Sequence, residues 1–463
     1  MSPRVMLCAA GCVALSLTVA STIRAEEDAS GDLIEVIVGL LSEKDKELRS
    51  LGLEQVRTGA KGAAATKLFA AQLSKLSPDA QVSLLSALAG RGDSAARSEV
   101  LKTLAASKNE AASVAAIRAL GSLGNVDDLP VLLKLLSAQS KAQQAAARGS
   151  LKNLPGEKVS SAIATAMKGA DPGIRITMIQ LLAARRALDT IDALLSVAVD
   201  SDAKVRAAAM KALGQLATAE HLAGMVQGVL KAERGRERST AEKNVMFVCG
   251  RIADAQKRAE PLLAAMAKLK EADRLTMLST LGRVGGDSAR KTIEKAIADS
   301  RPEVHELGVK ALCNWPNAKI AARLTELANT DKHPGHRIAA LRALIRVAPL
   351  RDERTDAAKL ELLKKAMTMA TRDQERDLAL SRAHAIRIVE SLRFLLKYTD
   401  DPKFAQRACL SIVELSHHRG VREPNKKEFH KALDKVIATS KDAVVIDRAN
   451  RYKKDQTWVR PKR

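Results

Sequence analysis

The chain has 463 residues, of which 46% are hydrophobic but only 2% aromatic, so Ala, Leu, Val and Ile must build its core. Such a composition disfavours a β-sandwich or barrel, whose strands want aromatic and β-branched side chains, and 28% charge amid ample aliphatics excludes wholesale disorder. Lys and Arg (76) outnumber Asp and Glu (53), a net charge of +23, which points to an anionic partner or to solubility alone.

The first element is a targeting signal. Arg4 gives a positive start, residues 5–20 (VMLCAAGCVALSLTVA) are apolar or small, and Ala25 precedes Glu26-Glu27-Asp28. This is the pattern of a secretory signal peptide over 1–25, with cleavage expected after Ala25 and Ala20 as the second choice. Cys12 has most of the apolar run after it, the reverse of a lipoprotein processing site. No other segment reaches about 18 uninterrupted apolar residues, so a chain without a transmembrane segment is expected in the periplasm or outside the cell. Cys249, Cys313 and Cys409 remain, an odd and widely spaced set inside Ala/Leu/Val-rich stretches. They read as small buried hydrophobes rather than a disulfide framework.

The next elements repeat. Residues 202–216 read DAKVRAAAMKALGQL, and stepping back by 31 or 32 residues reaches Asp171, Ser140, Asn109, Ser77 and Asp45 in turn. All six anchors carry a side chain able to accept from the free N–H groups of a helix start. Eleven residues after each stand Val56, Leu88, Leu120, Leu151, Leu182 and Leu213; eight after stand Leu53, Leu85, Ile117, Arg148, Ile179 and Met210. Offsets of eight and eleven return to one helical face, so each unit ends in an amphipathic helix, with Arg148 the departure. A shorter helix is expected before each anchor, over 33–41, 64–73, 95–105, 129–136, 159–167 and 189–197. Such a pair cannot bury both apolar faces alone and must stack on its neighbours.

Beyond a charged insertion at 231–240 the pattern continues, with Cys249, Leu281, Leu312 and Leu344 in the place of Leu213. The span to Ile412 holds two more units, the first with a long helix near 355–370. Segments 425–439 and 441–452 form a last pair. The expected fold is all-α: a right-handed α-solenoid of about thirteen stacked helix pairs. Its divisions are a signal peptide (1–25), a repeat array (26–416), a capping pair (417–452) and a basic tail (453–463). Charge is uneven along it. Residues 26–110 hold 11 Lys/Arg against 13 Asp/Glu, whereas 417–463 hold 14 against 6.

Asp171-Pro172-Gly173-Ile174-Arg175, Asp202-Ala203-Lys204-Val205-Arg206 with Ala212-Leu213-Gly214, Ile117-Arg118-Ala119-Leu120-Gly121 and Ile338-Ala339-Ala340-Leu341-Arg342-Ala343-Leu344 carry a resemblance. The chain resembles secreted bacterial HEAT-like repeat proteins, in the short variety of about 30 residues also seen in phycobilisome-lyase-type repeats. The resemblance implies an armadillo-like superhelix. It also implies an Asp/Arg ladder between neighbouring repeats, matched at Asp45/Arg49, Asp171/Arg175 and Asp202/Arg206 and departed from at Gln81, Ser113 and Gln144. Such repeats serve as scaffolds for unrelated partners, so no bilin chemistry follows.

Chemical motifs were tested in turn. Arg91-Gly92-Asp93 spells an adhesion tripeptide but falls where a loop must be. Gly285-Gly286 before Lys291-Thr292 imitates a phosphate loop, yet Arg290 takes the place of its second glycine. His305-Glu306 opens a zinc-protease-like string with Val309 where the second His belongs. His333 and His336, and His417-His418, are read as cap and helix-end residues with no carboxylate or Cys at ligand spacing. No metal, cofactor or catalytic set is therefore nominated, and the chain is read as a non-enzyme. Six of nine aromatics fall in the last seventy residues and suit a packed terminal cap, with Trp458 left spare.

One surface is nominated. Nine residues after the six anchors stand Glu54, Ser86, Arg118, Gly149, Gln180 and Lys211, and at the same register, two residues before Leu281, Leu312 and Leu344, stand Ser279, Lys310 and Arg342, none of the nine large and apolar. Arg118, Lys211, Lys310 and Arg342 are the candidate binding residues, a basic stripe for an acidic protein partner on what the resemblance implies is the concave side. The competing reading is an accessory or catalytic module acting on an anionic glycan. Export disfavours nucleic acid.

Overall fold

The computed structural model describes residues 32–43 and 45–458. The expected signal peptide lies outside them, as do 459–463 of the basic tail. The described residues form thirteen consecutive helix pairs, an α-solenoid without strands, from 32–42 with Lys46–Thr58 to Lys426–Thr439 with Ala443–Lys453. The chain divides after Ala217 into two compact units, the first holding six pairs and the second seven. No described helix is long and apolar enough to cross a membrane.

Each anchor is an N-cap. Asp45, Asn109, Ser140 and Asp202 accept hydrogen bonds from backbone N–H groups two or three residues on. Ser77 and Asp171 hold the same place ahead of Pro78 and Pro172, whose fixed φ suits a first helical turn. Every residue eleven positions on, from Val56 to Leu344, is fully buried, and so are Leu380 and Ile412. At the eighth position Arg148 is exposed; Ala146, Ala147, Ser150 and Leu151 face inward instead.

Side chains at helix ends hold the pairs together, because four carbonyls at each C-terminus lack intrahelical partners. Four residues after an anchor, Arg49, Arg206 and Arg337 donate to carbonyls six residues earlier, those of Glu43, Asp200 and Asp331, at 2.7–2.9 Å. Gln144 does the same to Ala138 at 2.7 Å, and Gln81 reaches the Leu73 carbonyl, eight residues earlier, at 2.9 Å. The glutamines thus keep the device through their amide N–H groups. Arg175 pairs with Asp200 of the next repeat, whereas Asp45 and Asp202 serve as N-caps. Of the three Asp/Arg matches, Arg175 thus reaches the next repeat at Asp200, and Asp45 and Asp202 also cap their own helices.

At the far end of the second helices, arginines reach back to the preceding repeat. Arg185 donates to the carbonyl of Leu151 at 2.8 Å and Arg346 to that of Trp315 at 2.6 Å. Arg91 binds the carbonyls of Val56 and Gly59 at 2.9 and 2.8 Å and lies over the Phe69 ring. Gly92 has φ 74°, and Asp93 accepts from Thr66 Oγ1 at 2.6 Å. The adhesion-like tripeptide is a structural junction.

Candidate functional site

The nominated stripe is solvent-facing throughout: eight of its nine residues are exposed and Ser279 is half-buried. Its charge is not uniform. Arg118 and Lys211, in the first unit, form no ion pair among the described residues. In the second unit Lys310 pairs with Glu306 one turn earlier, and Arg342 Nε donates to Glu375 Oε1 at 2.8 Å. Glu375 also takes Arg372 at 2.7 Å and is itself buried, so Arg342 is half of a structural pair. The two arginines hold its carboxyl below the usual glutamate range. Free positive charge on this row belongs to the first unit.

A site not nominated from sequence opens in the second unit. A groove of about 600 Å³ lies among the end of the Arg236–Gly250 helix, the Gly285-Gly286 turn and residues 315–320. Five cations line it, Arg251, Arg258, Arg283, Arg290 and Lys319, against one carboxylate, Asp287. Its apolar side is Val284, Trp315 and Phe247, and Phe247 is 55% exposed. Arg283 is held by Glu242 at 3.0 Å, Arg258 by the Ile252 carbonyl at 2.9 Å, and Arg290 pairs with Glu294 at 4.0 Å. The register carries a signal for the pair Arg251 and Arg283, which stand two residues beyond the buried Cys249 and Leu281. A groove with an apolar wall and basic rim suits an extended anionic segment bearing an apolar side chain.

The remaining candidates fall into place. Burial pushes the Cys249 and Cys313 thiols up to about 12, so neither is a poised nucleophile. Gly285 and Gly286 both adopt positive φ at the groove, and Gln256 Oε1 accepts from Asp287 N–H at the following helix start. His417 Nδ1 meets the Tyr452 hydroxyl of the Ala443–Lys453 helix at 3.0 Å. Trp458 is not spare, since the Arg448 guanidinium lies 4.7 Å over its ring. The expectation that no histidine cluster has a carboxylate at ligand spacing is corrected: buried Asp331 contacts both His305 and His336. Asp331 stands only five residues before His336 in the sequence, whereas the convergence of His305, from the preceding repeat, depends on the stacking.

The comparisons with known proteins follow this geometry. The family model for HEAT repeats matches residues 66–152 and 160–246. Those two stretches are similar to HEAT repeats. The chain is similar to crystal structures of Kap121p, at 11% identity over 92% of this chain and 56% of that one, TM-score 0.45. It is likewise similar to the karyopherin Kap121p bound to the extreme C-terminus of the protein phosphatase Cdc14p, at 11% identity over 89% of this chain and 54% of that one, TM-score 0.46. Kap95p, in a structure of its binding to RanGDP, matches at 12% identity over 94% of this chain and 63% of that one, TM-score 0.44. The chain thus spans a little over half the length of the structures it matches. No curated protein sequence matches it.

Proposed function

We propose that this HEAT-repeat chain is an exported bacterial scaffold of the short-repeat kind that binds an acidic protein partner and does no chemistry itself. The observation that carries the reading is the groove of the second unit, where five cations surround an apolar wall with one carboxylate among them. Arg118 and Lys211 of the first unit add unpaired positive charge, and the net charge of +23 favours anionic partners. The apolar wall favours a polypeptide over a glycan, because sulfated or carboxylated sugars bring no large apolar side chain to Phe247 and Val284.

The test uses a fluorescent peptide of Asp and Glu with one central Leu, and heparin as the glycan. The triple variant Arg251→Ser, Arg290→Ser, Lys319→Ser is expected to weaken peptide binding at least tenfold and to flatten its salt dependence, since exposed charges are screened beyond about 8 Å at physiological ionic strength. Phe247→Ser is expected to weaken the peptide and leave heparin unchanged. Equal binding of the peptide to wild type and triple variant, with circular dichroism unchanged, overturns the groove reading. Loss of heparin affinity alone favours the anionic-glycan reading. The mass of the N-terminus from native envelope material tests export: it is expected to begin at Glu26, and an intact Met1 in the cytoplasm rejects it.

A further inference from the structure

We infer that His305, Asp331 and His336 form a binding site for a divalent transition metal of the zinc type. The three residues come from two successive repeats, His305 from one and Asp331 and His336 from the next. His305 lies on the Pro302–Cys313 helix, Asp331 follows the Ala321–Thr330 helix, and His336 is in the first turn of Pro334–Val347. Donor atoms from the three lie within 4.8 Å of one another. Side-chain rotation brings such a set to the edges of a tetrahedron with metal–ligand bonds of about 2.0–2.2 Å.

The repeat register shows what is special about this place. His305 stands four residues after its N-cap, as Arg175 does, and Asp331 stands two residues before the next N-cap, as Asp200 does. In the first unit that rung is an Arg175–Asp200 ion pair. A guanidinium only donates hydrogen bonds, whereas an imidazole carries a lone pair. Exchanging Arg for His converts a structural rung into a ligand, and His336 adds the second.

The bonding around each donor favours a metal. His305 Nδ1 meets the Ile297 carbonyl at 2.6 Å, and a carbonyl only accepts, so Nδ1 carries the proton. Nε2 is then the ring nitrogen that faces Asp331 Oδ2, at 3.1 Å, and a metal ion can take the place between them. A backbone carbonyl holding the far ring nitrogen is also the usual support of a metal-bound histidine. The Asp331 side chain is only 1% exposed, and its Oδ1 accepts from the His333 N–H at 2.9 Å and lies 3.2 Å from His336 Nδ1, while Oδ2 faces His305. The His305 and His336 side chains are 26% and 14% exposed, which leaves a path for the ion. Two imidazoles with one carboxylate suit zinc, and cobalt as its spectroscopic substitute, over calcium or magnesium.

The experiment uses the full chain without an affinity tag, stripped with a chelator, and titrated with Zn2+ against a chromophoric chelator. One equivalent is expected to bind at micromolar or tighter affinity, to raise the thermal midpoint, and with Co2+ to develop visible d–d bands. His305→Arg restores the rung seen at Arg175–Asp200 and is expected to fold while losing at least a hundredfold in affinity. His336→Gln is expected to lose affinity similarly. His417→Gln with His418→Gln, in the terminal cap, is expected to leave binding unchanged. Absence of stoichiometric Zn2+ binding in the wild type overturns the site, as does undiminished binding in His305→Arg.

Discussion

Single residues here do one of two things: they cap helix ends or they sit buried without full partners. His384 is of the second kind. Burial is the main cause that depresses its pKa below the ordinary 6.5, Arg382 and Arg387 reinforce the shift, and Glu414 opposes it. Its Nδ1 is buried without a hydrogen-bond partner. With the folded-state pKa lowered, the unfolded chain binds more protons below about pH 6.5, so stability is present above that pH and is lost as pH falls toward the folded pKa. The midpoint of thermal unfolding should drop between pH 7.5 and 5.5, and His384→Gln should reduce that drop. An identical pH slope in the variant rejects the assignment. His418 shifts in the same direction by burial and supplies a second contribution of the same sign.

At the scale of elements, the second helices stack closely enough that side-chain size at one position decides the fit. A Cβ on Gly282 would lie 2.0 Å from the Ala311 carbonyl oxygen of the next second helix, and one on Gly121 would lie 2.9 Å from Ser150 Cα. Gly149, in the middle of the Lys141–Asn153 helix, has open space around it. Gly282→Ala should therefore destabilise by about 1–3 kcal/mol through forced helix separation. Gly149→Ala should stabilise by about 0.5–1 kcal/mol, since only the chain entropy changes. Urea titration of both variants checks the pair, and equal effects would show that stacking distance is not limiting.

At the scale of the molecule, a stack needs a finished end. The last pair buries Phe429, Leu433, Val436, Ala449 and Tyr452, each 2% exposed or less, and Arg422 closes the junction by donating to the Ser416 carbonyl at 2.8 Å while lying over the Tyr452 ring. Each large apolar side chain so buried contributes about 1.5–3 kcal/mol. A chain stopped after Ser416 should expose the matching face of the Ala405–Ser416 helix, bind a hydrophobic dye, and lose several degrees of thermal midpoint or aggregate. A truncated chain as stable and dye-silent as the full one would show that the aromatic cluster is not a cap.

Sequence alone determined the helix pairs, their number and their caps. Those depend on local rules: a polar N-cap acceptor, and apolar residues returning every third or fourth position. The run Asp202 to Leu216 states both, and so does Asn109 to Leu123. The solvent-facing row containing Arg118 and Lys211 was legible for the same reason. The tertiary structure alone decided which charges are free and which donors converge. Arg342 looks like Lys211 in the sequence, yet Glu375 of the next repeat neutralises it, whereas the Glu306–Lys310 pair, four residues apart on one helix, is legible in the sequence. The groove cations and the His305–Asp331–His336 set span residues 251–319 and 305–336, bringing together helix ends from different repeats. Periodicity reports the face a side chain occupies, but pairing across repeats depends on the stacking offset, which local hydrogen bonding and apolar spacing do not encode.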